Sequence, residues 1–136
     1  MTPPRKKRIP ASPDEWLAHA KSDFNLAGLG LNQDVLPEQI CFHAQQAVEK
    51  AFKAVLLSCT LDFPFTHDLE ELLDTLETAG IEIPSDLSDV GILTPYAVET
   101  RYPGHWGEIS ENDVAEAVSF AEKAIRWAEE VIQTAE

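Results

Sequence analysis

Residues 37–59, "PEQICFHAQQAVEKAFKAVLLSC", decide the fold of this chain. Pro37 can open a helix, because its missing N–H falls where a helix has no acceptor to offer. Beyond it, two apolar stripes recur at helical spacing. Ile40, Ala44, Ala47, Ala51, Ala54 and Val55 form one, and Cys41, Val48, Phe52 and Cys59 form the other. A helix that is apolar on more than one side is central and touched by several neighbours. Its alanines let those neighbours approach closely, so the segment reads as the core of the molecule.

The rest of the chain supplies the neighbours. Ser12 with Glu15 makes a capping box, and Pro13 stands at the favoured first helical position. The set Trp16, Leu17, Ala20, Phe24, Ala27 and Leu31 then predicts a helix over about 13–31, fraying through "GLGLN" at 28–32. That GxG is not a nucleotide fingerprint, since no strand precedes it and no third Gly follows. In "DFPFTHDLEELLDTLETAG" a Pro-containing loop leads into a third helix, capped by Thr66 or Asp68 and stopped by Gly80. Ser85 caps an expected fourth stretch to about Arg101, with breaks possible at Gly91 and Pro95. Ser110 with Asp113 opens the last helix, whose stripe is Val114, Ala117, Val118, Ala121, Ile125, Ala128 and Ile132. Five helices joined by short connections predict an all-α, antiparallel, up-and-down bundle over residues 12–136. Residues 1–11 read as a flexible basic arm.

A chain of 136 residues suffices for one domain with its own core, and no apolar run approaches a membrane span of about 20 residues. "MTPPRKKRIP" has no apolar stretch behind its charges and is not read as a secretory signal, so a cytoplasmic location is the expectation. Cys41 and Cys59 stand 18 residues apart on one expected helix. Five turns separate them by roughly 27 Å, too far to bridge, and both are expected to be buried thiols. The net charge is −14, and without Arg5, Lys6, Lys7 and Arg8 the body carries 24 acids against 6 bases. Such a body repels phosphate backbones, so RNA contact is disfavoured outside the arm or a local basic patch.

No P-loop, HExxH, nucleophile elbow or zinc-knuckle spacing occurs, and neither a metal nor a cofactor is expected. His43 lies beside Gln45, Gln46, Glu49, Lys50 and Lys53 on the central helix. That is a polar face lining a cleft or an ordinary solvated face, and the second reading is favoured. His67 is expected to fix the loop entering the third helix, and His19 to lie on the surface. In "ETRYPGHW", 99–106, Arg101 ends a helix, Pro103-Gly104 turns the chain, and His105 and Trp106 follow the corner. Arg101 with His105 would also be a pair able to cleave RNA without metal, His moving the proton and Arg steadying the phosphorane.

"WLAHAKSDFNLA", "CFHAQQAVEKAFKAVLL", "THDLEELL" and "YAVETRYPG", in that order, closely resemble the HEPN domains (higher eukaryotes and prokaryotes nucleotide-binding) over about residues 13–134. The resemblance implies a bundle of about five helices, usually dimeric, often encoded beside a minimal nucleotidyltransferase and in several cases acting as a toxin–antitoxin module. Ribonuclease members of that family carry an Arg, four to six residues and a His at the dimer cleft. Here only three residues separate Arg101 from His105, and two of them are Pro103 and Gly104. The expectation is therefore a non-catalytic dimeric subunit that partners a nucleotidyltransferase or binds nucleotides through Lys50, Lys53, Arg101, Tyr102 and His105. Its alternative is a metal-independent ribonuclease with Arg101 and His105 as the catalytic pair.

Overall fold

In the computed structural model, which describes residues 11–97 and 108–135, every regular element is helical. The α-helices are α1 (Pro13–Gly30), α2 (Pro37–Ser58), α3 (Leu69–Thr78) and α4 (Glu111–Ala135). Between α3 and α4 the chain forms a 3-10 turn, Ser85–Leu87, and a longer 3-10 segment, Val90–Ala97.

The starts of these helices follow from their caps. Ser12 accepts from the Glu15 N–H while Glu15 accepts from the Ser12 N–H, the reciprocal box that satisfies two otherwise orphaned donors. Ser110 and Asp113 repeat it for α4. Asp68 caps α3 by accepting from the Glu70 N–H, and Thr66 in turn accepts from the Asp68 N–H. Leu36 gives α2 no side-chain cap, but Pro37 has no N–H that would need one.

The central role of α2 is observed: it packs against α1, α3, α4 and the 3-10 segment. Ala44, Ala47, Ala51 and Ala54 are fully buried along it, as are Ala117, Ala121, Ala124 and Ala128 along α4. Small side chains on both helices let the backbones come close, and the larger core residues fill the spaces left between. Phe52 meets Trp127 edge to face, with ring centroids 5.8 Å apart. The leucines of α3 and the side chains of Leu87, Val90 and Leu93 join the same core.

The fourth stretch is helical within the described residues, of the 3-10 kind, and its break falls between Leu87 and Val90 rather than at Gly91 or Pro95. Leu87, Val90 and Leu93 are buried at a strict spacing of three, the period of a 3-10 helix in which positions i and i+3 eclipse. Pro95 lies inside that segment and has no N–H for an α-helical bond. Cys59 also departs from expectation, since it caps α2 and is half-buried, whereas Cys41 is fully buried. Both thiols are free.

Candidate functional site

The polar side of α2 turns toward α1 and the loop that follows α2, and there it gathers the buried charges of the molecule. On α2, Gln45, Glu49 and Lys53 are spaced i, i+4 and i+8, and His43 and Lys50 stand two turns apart on an adjoining row. On α1, Trp16 and Asp23 are also two turns apart and face this stripe. Asp23, Gln45, Glu49 and Lys53 are all buried.

Two clusters of the same design result. In the first, Asp23 accepts from Lys50 Nζ at 2.6 Å and from His43 Nδ1 at 2.9 Å. In the second, Glu49 accepts from Lys53 Nζ at 3.0 Å and from His67 Nδ1 at 2.8 Å. Each carboxylate thus holds one lysine and one histidine. An ionised carboxylate only accepts, so in both histidines the proton must sit on Nδ1. Neither Nε2 has a partner among the described residues. Amides extend the second cluster: Gln46 Nε2 donates to Gln45 Oε1, and Gln45 Nε2 donates to Glu49 and to the carbonyl of His67.

Lys53 is the most enclosed cation among the described residues, with its side chain 8% exposed. Its Nζ lies 5.7 Å from the Trp16 ring centre and 5.2 Å from that of Phe63, so two aromatic faces and Glu49 replace its water. Trp16 and Phe63 themselves meet edge to face at 5.3 Å, which ties the loop after α2 to the start of α1.

This arrangement orients two imidazoles with a carboxylate behind each, the tautomer control that general acid–base chemistry requires. It supplies no nucleophile: no Ser, Thr or Cys bonds to either Nε2 among the described residues. Nor does any group of three or more His, Cys, Asp or Glu side chains there stand ready for a metal. His67 fixes the loop into α3 through both its ring and its carbonyl, and His19 is exposed. Lys50 and Lys53 are brought into one stripe, each already bound to a carboxylate. Arg101, Tyr102 and His105 lie outside the described residues.

A second titratable pair sits on another side of α2. Cys41 and Tyr96 are hydrogen-bonded, and burial pushes the thiol up to about 11 against a smaller opposing effect of that bond. Burial likewise pushes the Tyr96 phenol up to about 12, with Cys41 and Asp113 adding to it. Both groups stay neutral at physiological pH.

Sequence reasoning named Lys50, Lys53 and His43 but not Asp23, which binds Lys50 and His43, nor the bond between His67 and Glu49. The available signal was Asp23 standing seven residues after Trp16, hence on the face of α1 that meets α2.

The model for the HEPN domain matches residues 13–131. TT1696 from Thermus thermophilus is 28% identical, with a TM-score of 0.73 over 88% of this chain and 97% of that one. ST0689, described as an archaeal HEPN homologue, is 23% identical, with a TM-score of 0.73 over 90% of this chain and 99% of that one, a likeness of fold. Among curated proteins none matches.

Proposed function

This chain belongs to the HEPN domain family, and we infer that within it the protein is a non-catalytic, dimeric subunit that docks a minimal nucleotidyltransferase or presents nucleotides to it, in a module of toxin–antitoxin type. One observation carries the reading. Of the five basic residues described, four are spent on carboxylates of the same chain: Lys21 on Glu129, Lys50 on Asp23, Lys53 on Glu49 and Arg126 on Glu122. The fifth, Lys123, lies against the Phe120 ring. A ribonuclease must hold a polyanion, and phosphate binding is supplied by cations free to displace the counterions condensed on it. A chain of net charge −14 whose described cations are, but for Lys123, internally compensated is suited to protein docking instead.

In this reading Arg101, Tyr102 and His105, with Lys50 at the edge of the polar stripe, form the surface that meets the nucleotide or the partner. Lys53 serves the interior of the stripe.

The test is co-expression of the protein with a minimal nucleotidyltransferase encoded beside it. Co-purification as a stable complex is the expected outcome. Absence of such a neighbour, together with failure to form any complex, would remove the reading.

A further inference from the structure

Seven large apolar side chains are exposed among the described residues, and five of them crowd one corner: Leu26, Leu29, Leu31, Val35 and Leu36, where α1 turns into α2. A protein this acidic has polar residues to spare for such a place. A concentrated apolar patch on it marks a surface that something covers.

Leu31 and Val35 of this corner belong to one wall of a groove of about 620 Å³, while Leu26, Leu29 and Leu36 lie outside its lining. Leu31, Val35 and Ile40 line that wall, and α4 forms the other. On α4 the lining includes Glu111, Ala115, Val118 and Glu122, spaced i, i+4, i+7 and i+11. That is a single face running about 16 Å along three turns. The close approach of α1 to α2 that builds the corner depends on Gly30, where a Cβ would come within 2.8 Å of Ile40. A straight trough between one helix and a corner, apolar along its floor, has the shape that receives an amphipathic helix.

Charge selects among helices. The lining contains two carboxylates, Glu111 and Glu122, at opposite ends of the α4 face, and no Lys or Arg. Glu122 is paired with Arg126, one turn beyond the groove, while Glu111 has no ion pair among the described residues. The surrounding body is strongly negative, so a second copy of it would bring like charge to the trough, whereas a cationic partner would be steered in. We propose that the groove between the α1–α2 corner and α4 is a docking site for a cationic amphipathic helix of a partner protein, its apolar side on Val35, Ile40 and Val118 and its Lys or Arg flank on Glu111. The groove shares no residue with the polar stripe, and the proposal stands apart from the nucleotidyltransferase reading.

The probe is a synthetic Leu/Lys amphipathic peptide of about 15 residues, long enough for helix, with a Leu/Glu peptide of the same pattern beside it. Binding is measured by anisotropy to the full chain and to three variants whose folding is checked by circular dichroism. Ala115→Arg fills the groove with a cation, Leu31→Lys breaks its apolar wall from an exposed position, and Ala18→Arg makes the same charge change on the exposed side of α1. The Leu/Lys peptide should bind the wild type and Ala18→Arg alike, and lose affinity about tenfold or more in Ala115→Arg and Leu31→Lys. The Leu/Glu peptide should bind at least about tenfold more weakly. Equal loss in all three variants would show mere attraction to net charge and overturn the proposal, as would equal binding of the two peptides. Sedimentation of the free protein completes the test. A dimer that Ala115→Arg dissolves would assign the groove to a second copy and overturn the proposal, whereas an oligomeric state unchanged by that variant supports it.

Discussion

Thr60 holds φ at +57°, a left-handed conformation that a β-branched residue rarely tolerates. It sits directly after the last residue of α2's cap, where its N–H donates to the Leu57 carbonyl and that of Leu61 donates to Leu56. α3 ends with the same pair of bonds, but there the left-handed position is Gly80 at φ +84°, which bears no side chain to clash. Gly80 is legible in the sequence as a stop; Thr60 is not, because nothing about threonine announces a positive φ. Replacing Thr60 by Gly should stabilise the protein by about 1 kcal/mol, read as a higher urea midpoint with an unchanged slope. Cys41 gives a second residue-scale expectation. Burial raises the thiol from 9.0 to about 11 in the folded chain, so the unfolded thiol ionises first as pH rises. Stability that is fully present below pH 9 is therefore lost between about 9 and 11, because over that range the unfolded state binds fewer protons than the native one. Urea titrations across that range should show a falling midpoint, and a shallower fall in Cys41→Ala.

At the scale of elements, the α-helices were legible because each carries its boundaries in its own residues. Ser12 with Glu15, Pro37, Asp68 and Ser110 with Asp113 start them, and periodic apolar positions fill them. The stretch after Ser85 was legible as helical but not as to kind, since Leu87, Val90 and Leu93 fit the i, i+3 part of an α-helical pattern as well as a 3-10 period. Pro95 alone argued for the second, since Ala97 gives Leu93 a buried i+4 partner. Thr94 then ties this segment to α3 by accepting the Leu69 N–H, one of the donors that a helix start leaves unpaired. The polar stripe of α2 is where sequence reasoning fell shortest. Its polar residues suggested a solvated face, but Glu49 and Lys53 form an ion pair in the interior, made tolerable by His67, Gln45 and two aromatic rings. Glu49→Gln leaves the Lys53 ammonium buried without its counter-charge and should cost about 3–5 kcal/mol in denaturant unfolding. Adding Lys53→Met to that variant should recover most of the loss, since the penalty belongs to the unpaired charge and not to the missing pair.

For the whole molecule, charge and shape point the same way. An excess of 24 acids over 10 bases was plain in the sequence, and two of the four cation pairs, Lys53 with Glu49 and Arg126 with Glu122, stand at i, i+4 on one helix, whereas Lys21 with Glu129 and Lys50 with Asp23 appear only once α1 is packed against α4 and α2. The resemblance carried the family and the bundle, both of which stand. The lysines assigned to a binding face proved to be shared with the network that holds α1 and the loop after α2 onto α2. No sequence signal foretold the apolar corner at Leu29 to Leu36, because leucines at the ends of helices read equally well as core. The central claim, that this subunit acts by docking and not by cutting, meets its most direct test in one assay. The purified full chain is incubated with a labelled oligoribonucleotide in the presence of a chelator, beside Arg101→Ala and His105→Ala. The account predicts no turnover by any of the three; cleavage by the wild type that either substitution abolishes would contradict it.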